Sequence, residues 1–209
     1  MKKRIIGLSL FAVVFGYLEA DVVTYLRYLY YEDPKILFPL KMMDPEIFVF
    51  EILRELSTLL IITLVSYLSS REKEEIFYLW IFTFGVWDIF YYIFLFLMIR
   101  WPSSIFSFDL LFLIPSLWIA PIICPILVSL VFILGGLYNL FKKKRKMKIN
   151  LLLGIFGGVL ILISFLYKSL ILKDNIEKVA FPSSINQFPW QFFLPGFFLL
   201  SLALFIRKR

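Results

Sequence analysis

Six times along its 209 residues the chain turns apolar for about the thickness of a bilayer. A helix rises 1.5 Å per residue, so roughly 20 apolar residues cross a hydrocarbon core about 30 Å thick. The runs cover residues 5–30, 47–68, 76–98, 115–141, 149–170 and 192–206, the last spanning only if it starts near Trp190. The links between them are too short for a soluble domain. Composition agrees: 61% of residues are hydrophobic, and soluble domains sit near half. The expected fold is an all-α, polytopic integral membrane helix bundle. About six transmembrane helices would make residues 1–209 a single transmembrane domain.

The net charge of +7 acquires meaning once it is located. Basic residues stand in short groups between the runs, which is a pattern of topology signals and not of nucleic-acid binding. With the N-terminus inside, fourteen fall on the inner side: Lys2, Lys3, Arg4, Arg71, Lys73, six between 142 and 148, and Arg207, Lys208 and Arg209. Seven fall outside or at the outer edge: Arg27, Lys35, Lys41, Arg100, Lys168, Lys173 and Lys178. The expectation is a multi-pass cell-membrane protein with both termini cytoplasmic. The cluster at 142–148 serves as a topology anchor on this reading, ahead of a role in binding anionic lipid. Residues 2–20 also resemble a signal peptide, but Leu18 stands where cleavage needs a small residue and apolar character resumes at Val22, so an uncleaved first span is expected.

The outer connections are not plain loops. Ser103 or Ser104 can cap a helix start, and a helix from 104 to 141 would exceed what a bilayer needs. A short interfacial or re-entrant helical segment is therefore expected over 104–114, with Pro115, Pro121 and Pro125 kinking the fourth span. The string Pro102-Ser103-Ser104-Ile105, Phe108, Phe112, Pro115 recurs 80 residues on as Pro182-Ser183-Ser184-Ile185, Phe188, Phe192, Pro195. A hairpin duplication would produce such a match, but the flanking spans do not align well and Phe, Ser and Pro are common here, so chance is the preferred account. Trp101, Trp118 and Trp190 read as outer-interface anchors.

Several chemistries are excluded. There is no histidine, which removes His-ligated haem, His-containing zinc sites and His-based dyads or triads. The single cysteine, Cys124, rules out an intrachain disulfide. No metal site and no cofactor are expected.

What remains is charge inside the apolar runs, which is costly and so must face a partner or a polar cavity. The first run carries Glu19 and Asp21, the second Glu51, Arg54 and Glu55, the third Asp88. Depth comes from helical rise: Glu19 lies roughly 21 Å up the first span, Asp88 about 18 Å up the third, and Glu51 to Glu55 roughly 6–12 Å below the outer surface. Arg27, Arg100 and Asp109 form an outer rim. Glu51, Glu55 and Thr58 make one helical stripe with Arg54 three residues from Glu51, and Asp88, Tyr91 and Tyr92 share a face bordered by Trp87. Five in-span carboxylates face one arginine, so the cluster is expected to hold protons or to attract a cation against the aromatic rings. The plainer reading is an internal clip, with Arg54 pairing Glu51, Glu55 or Glu19 and Asp88 accepting from a tyrosine.

Six spans in this length, with small residues Ala12, Gly16 and Ala20 at fourfold spacing on the first, resemble the small binding subunits of vitamin importers. The same spacing also serves general helix packing. Three functions are expected to compete. The first is a small-solute or proton binding and transport protein with an outward-facing carboxylate-rich pocket. The second is a structural or assembly subunit held by a membrane partner. The third is a lipid-processing enzyme, for which paired carboxylates speak but the absence of a DxxxD pair, P-loop and histidine speaks against.

Overall fold

A computed structural model describes residues 1–142, 151–171 and 188–206. The lysine-rich stretch from 143, the second Pro-Ser-Ser string up to 187 and the basic end at 207–209 lie outside the described residues.

Six helices carry the architecture: α1 (Lys2–Tyr30), α2 (Pro45–Ser69), α3 (Lys73–Ile99), α4 (Ile123–Phe141), α5 (Leu151–Ile171) and α6 (Trp190–Phe205). Four of them, α1, α3, α4 and α5, are long and apolar enough to cross a membrane, as in a multi-pass membrane protein. Large apolar side chains such as Leu10, Leu60, Leu64, Ile155 and Phe156 stay exposed on their outer faces, which suits contact with lipid. α2 has the length, at 25 residues, but Glu46, Glu51, Arg54 and Glu55 occupy its first half. α6 is shorter, at 16 residues, roughly 24 Å.

Helix ends obey local chemistry. Pro45 opens α2, where its missing N–H costs nothing, and Glu46 lies beside the positive end of the helix dipole. Arg100 closes α3 in the left-handed region at φ 56°. Pro125 stands in the first turn of α4, where a helix has no internal partner for the N–H that proline lacks.

The sequence expectation is corrected between α3 and α4. Residues 104–114 form no helix. Phe108–Phe112 is strand β1 and Trp118–Pro121 is strand β2, paired antiparallel with Asp109 opposite Ala120 and Leu110 opposite Ile119. A register shift lies between Leu110 and Phe112. The fold is mostly helical, and the segment between α3 and α4 is a β-hairpin. Pro121 ends β2 and does not kink a helix, and α4 begins at Ile123, not near 115. Pairing between the strands satisfies backbone groups that a lone extended segment would leave bare.

α1 packs along α3, α3 along α4, and α5 along α6 and β2, while α2 leans on α3. Ala12, Gly16 and Ala20 are buried, and a Cβ on Gly16 would come within 2.9 Å of the Trp87 carbonyl on α3. The small-residue stripe is thus a helix-packing seam that lets two backbones approach. At one end of the bundle, Arg4 donates to the Ser69 carbonyl and to Glu75, both at 2.7 Å, and Asn139 donates to the Leu204 carbonyl at 3.1 Å. The start of α1, the α2–α3 turn and the ends of α4 and α6 therefore meet there. The opposite end holds the hairpin, to which α5 is tied by Ser169 donating to the Leu117 carbonyl.

Candidate functional site

A cavity of about 1030 Å³ opens inside the hairpin half of the bundle. Its walls come from all six helices, with the hairpin and the segment after α1 at its rim. The charged side chains facing it are Glu19, Arg27, Glu51, Arg54, Glu55, Asp88 and Asp109, with Lys41 at the edge.

Two polar assemblies organise these groups. The first joins α1 to α2. The Glu19 carboxylate accepts from Arg54 Nη1 and from the Thr58 hydroxyl. Arg54 also donates to Glu51, Nε to Oε1 at 3.1 Å and Nη2 to Oε2 at 2.7 Å. One turn further, both Glu55 oxygens lie 3.0 Å from the Leu113 backbone N–H at the hairpin tip. Helical spacing explains the grouping: Glu51, Glu55 and Thr58 point one way and all are buried.

The second joins α1, α3 and β1. Arg27 and Asp109 form a buried ion pair at 3.4 Å, their side chains only 3% and 2% exposed. The Tyr92 hydroxyl donates to the other Asp109 oxygen at 3.1 Å. The Arg27 guanidinium lies 3.7 Å from the centre of the Trp101 ring, a stacked cation that burial strengthens. Asp109 belongs to the hairpin, outside the spanning helices. Burial pushes its carboxyl up to about 6, against the opposing pull of Arg27 and the Tyr92 hydroxyl.

Between them stands Asp88 on α3, which accepts from the Ser129 hydroxyl of α4 at 2.7 Å. Trp87, Tyr91 and Tyr92 line the same wall, with Trp87 stacked on Tyr91 at 6.4 Å and Tyr91 edge-on to Tyr92 at 5.0 Å. The indole N–H groups of Trp87 and Trp118 are buried without a hydrogen-bond partner. Both tryptophans line the cavity. An unpaired buried donor is costly.

Glu19, Glu51, Arg54, Glu55, Asp88, Tyr91 and Tyr92 are thus brought to one cavity, and Arg27 and Asp109 join them from the outer rim. Asp21 and Arg100 are not. Asp21 is half-buried on α1 away from the cavity, and Arg100 is exposed beyond the end of α3 with its guanidinium 5.7 Å from the Phe96 ring. Asp88 bonds to a serine, where a tyrosine partner was expected. Ser129 carried a legible signal, as the lone hydroxyl in the apolar stretch from Ile126 to Leu134. The Leu113 N–H carried none, being backbone. Trp101 sits under the Arg27 guanidinium and Trp118 lies on the cavity wall.

Among the described residues, no group of three or more His, Cys, Asp or Glu side chains could hold a metal ion. Five lining carboxylates face two guanidiniums. The chemistry available is therefore proton holding, hydrogen bonding and attraction of a cation. The chain matches no protein-family model, no curated protein and no solved structure.

Proposed function

We propose that the chain is a membrane-embedded binding and transport protein whose site is the carboxylate-rich cavity. α2 and α6 complete six crossings, both ends face the cytoplasm of a cell membrane, and the hairpin end with its cavity faces outward. Basic residues at the opposite end support that orientation through the positive-inside rule. The observation that carries the functional reading is the cavity itself. Charges drawn from α1, α2, α3 and β1 face a space of about 1030 Å³, where an interhelical clip would have been packed solid. Open volume bordered by ionisable groups inside a bundle is where membrane carriers place substrate and proton sites.

The test is uptake by the full chain reconstituted in liposomes, read with radiolabelled choline and with a pH-sensitive dye for proton movement. Asp88→Asn and Glu51→Gln are expected to abolish binding or flux while the protein still inserts and elutes as the native chain does. Uptake unchanged in both variants would sink the proposal.

A further inference from the structure

Three features of the cavity are unnecessary for a small cation. Its volume sits at the upper end of the range that holds drug-sized molecules. Beyond the charged groups its walls are apolar, built from Leu56 and Leu59 of α2, Val128 and Phe132 of α4, and Leu162 of α5. Its lining also reaches exposed side chains on two helices. Leu56 and Leu162 line the cavity and yet are 48% and 38% exposed. Each lies near the middle of its helix. α2 leans on α3 and α5 on α6 and β2, and among the described residues no extended contact joins α2 to α5. A mouth at mid-helix faces hydrocarbon, not water.

The polar part of the cavity specifies a head group. Arg54 is committed to Glu19 and Glu51, and Arg27 to Asp109. Among the described residues, Glu55 and Asp88 form no ion pair, each holding only a neutral N–H or O–H donor. Those two carboxylates favour a cation, and the aromatic rings of Tyr91 and Tyr92 line the same cavity. Trp87 adds an independent requirement. Its side chain is 6% exposed, lines the cavity, and carries an indole N–H with no partner, which a nearby oxygen acceptor would satisfy. An anionic head meets five carboxylates and two guanidiniums already engaged, and is disfavoured.

Resting on the binding reading above, we infer that the ligand is a long-chain amphiphile whose head carries an ammonium group beside a hydroxyl or carbonyl oxygen. It enters sideways from the bilayer between α2 and α5. The ammonium sits between Glu55 and Asp88, the oxygen accepts from Trp87, and the chain lies against the α2, α4 and α5 leucines and aromatics.

The experiment is a tryptophan-fluorescence titration of the full chain in nanodiscs of zwitterionic lipid. The four probes are 2-aminohexadecan-1-ol, hexadecan-1-ol, hexadecanoate and 2-aminoethanol. The amino alcohol with its chain is expected to bind at least tenfold more tightly than each of the other three. Glu55→Gln with Asp88→Asn should cost at least tenfold for it. Leu162→Trp, at an exposed position that tolerates bulk, should slow its binding by narrowing the mouth. Equal binding of 2-aminoethanol would overturn the amphiphile inference and leave the small-solute reading standing. Equal binding of hexadecan-1-ol or hexadecanoate would overturn the head-group assignment. No binding by either amine-bearing probe would overturn the amphiphile inference, while choline or proton flux in the liposome assay would leave the binding and transport reading standing.

Discussion

Arg27→Met isolates the most buried charge pair among the described residues. At 3.4 Å, a pair of unit charges interacts by roughly 5 kcal/mol at an effective dielectric of 20. The stacked Trp101 ring adds about 2 kcal/mol in a desolvated setting. Dehydrating the guanidinium offsets part of both, so the expected net loss is about 3–5 kcal/mol, the usual result of breaking a buried pair. For a chain of this size each kcal/mol moves the melting temperature by roughly 2–4 °C, giving a fall of roughly 6–20 °C. The deficit depends on pH with a definite sign. Asp109 loses its proton near pH 6 when Arg27 is present. Removing Arg27 raises that value further, because the cation's downward pull is gone. The native chain's advantage over the variant is therefore full well above pH 6 and fades as the pH falls through 6. Thermal unfolding of both proteins in detergent at pH 7.5 and pH 5, monitored by tryptophan fluorescence, measures it. An equal deficit at both pH values would show that charge is not its source. No deficit at either would show that the pair contributes nothing.

Three further outcomes are expected. Gly157→Ala should destabilise by about 1–3 kcal/mol, because its Cβ would lie 2.7 Å from the Leu200 amide and 2.8 Å from the Gly196 carbonyl on α6. The adjacent Gly158→Ala, with nothing within 4 Å, should be neutral or gain up to about 1 kcal/mol of helix propensity, and thermal melts of the two variants side by side give the comparison. Glu55→Ala strips the Leu113 N–H of its acceptor, a loss of about 1–3 kcal/mol, and mass-detected hydrogen exchange should rise across 108–121 while α3 keeps its protection. Asn139→Leu removes the tie from α4 to the Leu204 carbonyl and should lower the melting temperature by a few degrees, at about 1 kcal/mol per hydrogen bond lost.

The helices were legible because apolar runs and charge placement act locally. The runs at 47–68 and 76–98 reappear as α2 and α3 with ends moved by three residues or fewer, and the described part of the run at 149–170 is helical as α5. The hairpin was not legible. Phe108 to Phe112 is five residues interrupted by Asp109, too short for an alternation to stand out from a helix. Its strand identity depends on pairing with Trp118 to Pro121, which no local pattern encodes. The convergence of Glu19, Glu51, Arg54 and Asp88 was readable from helical depth and face. Asp21 points away from the cavity because depth alone does not fix azimuth, and two residues along a helix from Glu19 turn a side chain by about 200°. Asp88 was matched to the wrong donor for a related reason. A serine on another helix competes with a tyrosine in ways spacing does not rank.

The hairpin also sets a timetable for making the protein. The Leu113 N–H needs Glu55, which lies ten residues, roughly 15 Å, along α2 from Pro45. The Leu117 carbonyl needs Ser169, which leaves the ribosome some fifty residues later. Residues 101–122 are thus synthesised before Ser169, which ties the hairpin to α5. A chain truncated before α5 lacks both that tie and the α5 and α6 sides of the cavity, which leaves the site unbuilt.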